Sequence, residues 1–313
     1  LPVEYFHMEI TGIHHISAIC GDPQANLDFY TGVLGLRLVK VTVNYDDPGS
    51  YHLYYGDRVG SPGSAMTFFP WGDAPQGRVG MGQVVAVAFS IPEGSEGFWA
   101  GRIPSAKPFE RDGQNGLSLV DNDGLPLELI AAKDDRKGWG GYGVSEEHAI
   151  RGFHSATLDA GRVEPSVKLL NRMGFTSRTV GELTRFEIDG GGPAKTIDLK
   201  SSGAKGVGGR GTVHHIAFGT PNDGTQKVSS AELVEAGQHP TDVQERQFFR
   251  SIYYREPSGI LYEIATNGPG FTADEAEPDL AKRLSLPSWF EPHREKIESV
   301  LPKLRTPEGI VLP

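Results

Sequence analysis

Two histidine pairs stand out among the chemistry-bearing residues of this chain: His14 and His15 in "GIHHIS", and His214 and His215 in "TVHHIA". Both pairs have the same apolar flanks. A carboxylate, Glu263, lies in similar surroundings in "GILYEIAT", between Tyr262 and Ile264. A carboxylate in such a run is costly to bury unless it is paired, hydrogen-bonded or bound to a metal. Two neutral imidazoles and one carboxylate form the donor set of a non-haem Fe(II) site, which leaves positions open for substrate and dioxygen. Mn(II) or another divalent ion fits the same donors. A single histidine on a strand is more often a hydrogen-bonded structural residue; a twinned motif with a matched carboxylate shifts the balance towards metal.

Side chains alternate along a strand, so only one member of each pair is expected to point directly into a given cavity, the other lining its mouth or the opposite face. His154 in "RGFHSATL" and Asp198 in "AKTIDLKS" also occupy first-strand and last-strand positions, and spacing alone leaves a triad of His154, His215 and Glu263 open. Glu128 in "LPLELIA" has "VVAVAF" where a histidine would be needed, and is read as a relic or a structural partner.

These residues must be positioned by a repeated unit. "TGIHHISAIC" has the composition of a strand. Asp22 caps and Pro23 opens a following helix in which Leu27, Tyr30, Val33 and Leu34 recur at helical spacing, until Gly35 stops it. Three strands follow, "LRLVKVTVN", "YHLYYGD" and "SAMTFFPW". The βαβββ pattern recurs over residues 82–132, 152–201 and 212–267, with "VEPSVKLLNRMG" and "SSAELVEAG" as helices of the last two. The expected class is therefore α+β, with four βαβββ modules. Pairing them in sequence order gives two domains, 10–135 and 150–270, each a curved mixed sheet around a cavity. The Gly-rich, charged "KDDRKGWGGYGVSEEHAI" separates them. Residues 271–313 form a tail with helices expected in "EAEPDLAKRL" and "PHREKIESVLPKL".

Composition narrows the function. At 313 residues, 38% hydrophobic and 22% charged, the chain has the make-up of a soluble globular protein of about two domains. A formal charge of −10 argues against nucleic acid as partner, and no run approaches the ~20 apolar residues of a membrane span. Cys20 is the only cysteine, which excludes an intrachain disulfide and a Cys-rich zinc site and fits a reducing, cytoplasmic setting. The opening "LPVEYFHMEI" lacks the basic and apolar regions of a secretory signal, and Met8 is read as the natural start. A homo-oligomer is compatible with these features.

The repeat with "HHI" on its first strand resembles the vicinal oxygen chelate superfamily, which includes glyoxalases and extradiol dioxygenases. More narrowly, "IHHIS", "YHLYYGDRVGSPGSAMTFFP", "RGFHSATL", "VHHIAF", "FFRSIYYREPSGILYEIAT" and "GFTADE" resemble the hydroquinone ring-cleaving (chlorohydroquinone 1,2-dioxygenase-like) family over residues 10–275. The resemblance implies metal ligands at His15, His215 and Glu263. It implies catalytic roles for His14, His214, Tyr253 and Arg246, and substrate contacts from Ser17, Arg246 and Tyr253. Ser17 replaces the threonine expected there, and Arg250 is a neighbouring alternative to Arg246. The implied activity is Fe(II)-dependent cleavage of a hydroquinone or catechol-type ring by dioxygen. The alternatives are a glyoxalase-like metal-dependent isomerase or lyase, and a binding protein that sequesters an aromatic compound.

Overall fold

The computed structural model describes residues 8–313; the segment ahead of Met8, to which the reading of the chain's start applies, lies outside the described residues. The first module runs β1 (Ile13–Cys20), α1 (Pro23–Leu27), β2 (Arg37–Asn44), β3 (Asp47–Gly56) and β4 (Ala65–Pro70). The second runs β5 (Gln83–Pro92), α2 (Glu96–Arg102), β6 (Lys107–Arg111), β7 (Gln114–Val120) and β8 (Pro126–Ala132). In the third are β9 (Gly152–Asp159), α3 (Val163–Arg172), β10 (Thr176–Val180), β11 (Leu183–Glu187) and β12 (Thr196–Lys200). The fourth has β13 (Thr212–Thr220), α4 (Asp223–Glu235), β14 (Gln244–Glu245), β15 (Arg250–Arg255) and β16 (Leu261–Thr266). No helix among the described residues is long and apolar enough to cross a membrane.

The local signals act as expected. Asp22 accepts from the Ala25 N–H at 2.8 Å and Pro23 begins α1, which continues into a π-helical turn over Asp28–Val33. Gly35 ends it at φ +66°, where a Cβ would also meet Val144 at 2.5 Å. Replacing Asp22 by Ala should cost about 1 kcal/mol of stability, measurable as a lower denaturant midpoint at unchanged slope. In the fourth module the helix starts earlier than "SSAELVEAG", because Asn222 and Thr225 form a reciprocal cap.

The four modules form two eight-stranded sheets, but not with their neighbours in sequence. One sheet has the order β14-β15-β16-β13-β1-β4-β3-β2 and joins modules one and four; the other, β10-β11-β12-β9-β5-β8-β7-β6, joins two and three. The expected pairing of one with two and three with four is thereby corrected. The first strands carry the apolar, fully buried runs that must find a partner on both sides, and β1 finds it in β13, as β5 does in β9. Backbone bonds stitch the two sheets together, including Gly63 N–H to the His14 carbonyl and Phe153 N–H to that of Gly63, both at 2.8 Å.

The β1–β13 seam has a local two-fold symmetry. Ile16 pairs with Ile216; on either side His15 opposes Ala217 and His215 opposes Ser17. His14 and His214 are each the extra residue of a bulge, skipped by the pairing. The symmetry extends outward: Thr67 of β4 lies beside Ser17 as Glu263 of β16 lies beside Ala217, and Tyr54 opposes Thr67 as Tyr253 opposes Glu263.

The first part of the tail packs on the cavity side of this sheet. "EAEPDLAKRL" forms only a single turn over Glu277–Asp279. Pro278 interrupts it, and Asp274 and Glu275 just upstream are engaged by Lys40 of β2, whose side chain is wholly buried. Asp274 also accepts from Gln247 at 3.0 Å, and Gln247 accepts from the Tyr45 hydroxyl at 2.9 Å. A short helix, α5 (Arg294–Val300), lies near the end of the tail and stops ahead of Pro302.

Candidate metal centre and substrate cavity

His15, His215 and Glu263 converge at the centre of the first sheet, and they are the one group of three potential ligands found among the described residues. His15 Nε2 and His215 Nε2 lie 3.2 Å apart. Glu263 Oε2 is 3.3 Å from the first and 3.0 Å from the second. A triangle of this size is what cis donors form when each lies about 2.0–2.2 Å from one ion.

His14 Nδ1 and His15 Nδ1 are 2.9 Å apart. When His15 Nδ1 is the donor of that pair, the lone pair of His15 Nε2 faces the centre. His214 and His215 repeat the Nδ1 contact at 2.8 Å. Glu263 Oε1 accepts from Ser251, while Oε2 is buried and has no donor at all. With His15 and His215 both in the tautomer that donates from Nδ1, two lone pairs and an anionic oxygen face one centre, and the residues present fit a divalent metal.

Burial raises the Glu263 carboxyl, but the charge and hydrogen bonding of the two facing imidazoles outweigh it and hold the group well below the usual carboxylate range. Burial, and then the neighbouring ligand histidine, pushes His14 and His214 down to about 3, so both are neutral.

The bulges explain where alternation fails. Because His14 and His214 are extra residues, each stays beside the histidine that follows it, and neither points to the opposite face. The two partners then diverge. His214 lines the cavity in front of the triad; His14 does not, being enclosed behind His15 against Thr266 and Phe249. His14, expected to act as acid or base, thus lies outside the cavity lining and against His15. Ser17 likewise does not line the cavity: it is fully buried and bonded to Thr67 at 2.6 Å, so its expected substrate contact is not formed.

The cavity itself measures about 220 Å³. Arg246 and Tyr253 form one wall, with Arg246 Nε donating to the Tyr253 hydroxyl at 3.2 Å and its guanidinium 5.3 Å from the ring centroid. Arg250 is excluded from it, paired outside with Asp223 and Glu245. Burial and then Glu263 raise the Tyr253 phenol, which stays protonated. Phe69, Phe249 and Leu261 supply apolar surface. The opposite wall holds His52 and Tyr54, which sequence reading passed over as part of an alternating strand. Their spacing of two, placing both on one face, was the available signal.

The second sheet shows what becomes of the same framework without histidines. By register, Ser155 and Ala86 stand where the ligand histidines stand, and His154 is the bulge residue. Glu128 and Asp198 occupy the flanking carboxylate positions. Arg111 clamps Glu128 at 2.6 and 2.8 Å, and Arg185 clamps Asp198 at 2.8 Å through both oxygens. This rules out the rival triad, since His154 lies in the other sheet, bonded to Ser155 and Gln114.

His154 carries a pH dependence. Burial, then the Arg185 charge, lowers it from 6.5 to about 4. Between those values the unfolded chain takes up a proton that the fold refuses. Stability is therefore unaffected above 6.5 and falls as pH drops through the window, at up to about 1.4 kcal/mol per pH unit. Denaturant titrations between pH 7 and 4.5 should show a shallower decline in His154→Gln.

Comparisons place this geometry among known proteins. Residues 12–97 match the family model described as the Glyoxalase/Bleomycin resistance protein/Dioxygenase superfamily. MhqO of Bacillus subtilis (strain 168), which carries a ring-cleaving dioxygenase name, is 42% identical over 299 residues, covering 93% of this chain and 95% of the relative. The chlorohydroquinone/hydroquinone 1,2-dioxygenase of Sphingobium indicum is 31% identical over 306 residues, covering 92% and 95%. A crystal structure of a dioxygenase-named protein from Bacillus subtilis subsp. subtilis str. 168 superposes with a TM-score of 0.90 at 41% identity, covering 94% of this chain and 97% of the other. Glyoxalase I from Zea mays, at 16% identity, shares the fold with a TM-score of 0.58 over 82% and 92%.

Proposed function

Because the chain belongs to the ring-cleaving dioxygenases of the Glyoxalase/Bleomycin resistance protein/Dioxygenase superfamily, we propose that it opens a hydroquinone or catechol-type ring with dioxygen, using Fe(II) held by His15, His215 and Glu263. The observation that carries the metal is the buried Glu263 Oε2, without a hydrogen-bond partner and within 3.3 Å of both imidazole Nε2 atoms. Iron bound there supplies an ionised aromatic oxygen with an electronic connection to dioxygen.

The protein's own residues do the rest. A cavity of about 220 Å³ holds one substituted ring and little more, given that a void of about 150 Å³ takes up benzene. Arg246, with its guanidinium at the wall, binds an anionic oxygen of the substrate and stabilises charge that builds as the ring opens. Tyr253 remains a phenol and donates to that same oxygen. His214, whose Nδ1 is tied to His215, turns its Nε2–H to the cavity as a further donor. His14 fixes the tautomer of His15 and does not meet the substrate. Phe69, Phe249 and Leu261 keep water from the reacting carbon.

Anaerobic reconstitution with Fe(II), followed by methylhydroquinone or catechol at an oxygen electrode, tests this. The expected result is one dioxygen consumed per ring opened. Turnover of substrate without oxygen uptake would favour a metal-dependent isomerase, and binding without turnover or metal would favour a sequestering protein.

A further inference from the structure

The local two-fold of the β1–β13 seam relates His15 to His215, so an ion shared by both lies close to that axis. Glu263 then occupies one of two equivalent positions beside it. The counterpart of Glu263 is Thr67, and the counterpart of Ser251, which hydrogen-bonds Glu263, is His52. The contact is preserved in altered form: His52 Nε2 lies 2.9 Å from Thr67 Oγ1. Thr67 is held from behind by Ser17 at 2.6 Å, and His52 Nδ1 meets the Tyr54 hydroxyl at 2.8 Å. Phe69 and Tyr54 flank the imidazole, with centroids 4.2 and 4.1 Å away. One side of the axis thus presents a carboxylate; the other presents a short hydroxyl and a fixed imidazole that is partly open to the cavity.

Resting on the metal reading above, we propose that Thr67 marks the side on which the aromatic oxygen reaches the ion, and that His52 is the residue that positions it there. A carboxylate at 67 would fill that approach, as Glu263 does on its own side. The Thr67 hydroxyl is already committed to Ser17 and His52. His52 is neutral, since burial and the facing ligand histidines push it well below its usual pKa. It therefore adds no second positive charge opposite Arg246, and the two walls can receive one charged and one neutral oxygen of the same ring.

The test installs the missing half of the symmetry. In the double variant Thr67→Glu with His52→Ser, Mn(II) should bind at least about ten-fold more tightly, the equivalent of about 1.4 kcal/mol. The same variant should no longer shift the absorption of 4-nitrocatechol when metal-loaded. His52→Phe alone should keep its Mn(II) affinity, weaken 4-nitrocatechol binding about ten-fold and raise KM more than it lowers kcat, with partial rescue by His52→Gln. Unchanged 4-nitrocatechol binding in His52→Phe would overturn the assignment even if the double variant did not fold. A wild-type protein that took up no Mn(II) would instead sink the metal reading on which the assignment rests.

Discussion

Glu263→Gln should lose metal and turnover together. The glutamine keeps the length of the side chain and one oxygen for Ser251, so the change falls on the charge alone. Removing one partner from a buried charged set costs about 3–5 kcal/mol, and each 1.4 kcal/mol is ten-fold. Mn(II) or Fe(II) affinity is therefore expected to fall by roughly two to three orders of magnitude. Oxygen uptake at limiting iron should fall in parallel. The metal dependence of the stability change separates a ligand from a structural acid. In the metal-free protein the facing imidazoles favour the charged carboxylate, so neutralising it should lower the melting temperature slightly. In the metal-loaded protein the gap between the variant and its parent should widen, because less bound ion is available to stabilise it. A variant that retained full iron and full activity would remove Glu263 from the ligand set.

The largest loss of stability is expected from the other sheet, at Asp198. Arg185 is 3% exposed and Asp198 wholly buried, and two parallel bonds join them, while Arg185 also donates to Asp112 at 2.8 Å. Asp198→Asn should destabilise by about 3–5 kcal/mol, a fall in melting temperature on the order of 10 °C. Activity per folded molecule should be unchanged, because no member of the triad or the cavity touches this pair. The double replacement Arg185→Met with Asp198→Leu should be far milder than either single change, since it removes both charges at once. Calorimetry of the three variants distinguishes these outcomes, and a double variant as unstable as Asp198→Asn would show that the pair contributes through the Arg185 hydrogen bond to Asp112 and the Asp198 ion pair with Arg111.

Much of this was legible in the chain. The strands, the capped first helix and the fourfold module follow from local composition, because caps, proline and glycine act within a few residues. Imidazoles and a buried-looking carboxylate in apolar strands marked the candidate ligands, but spacing left His154 open beside His15, and only the family resemblance pointed to His15, His215 and Glu263. What escaped were relations between distant segments. Module order was expected to follow sequence order, yet β1 pairs with β13 across two hundred positions, and no local signal carries that. A consequence was nevertheless available, since His15 and Glu263 can share an ion only if modules one and four lie together. The bulges at His14 and His214 also escaped, because strict alternation was assumed where one residue in each strand is skipped. His52 went unnoticed because its meaning depends on Thr67 and Ser17, which only the register brings beside it.

Lys40, drawn into the sheet by Asp274 and Glu275, links the end of the polypeptide to the chemistry. Asp274 holds Gln247, Gln247 holds the Tyr45 phenol, and Tyr45 borders the cavity. Related chains can therefore diverge in which compounds they admit through drift in a peripheral stretch, with every lining residue conserved. Profiling orthologues by their lining residues alone would group enzymes of different selectivity as equivalents.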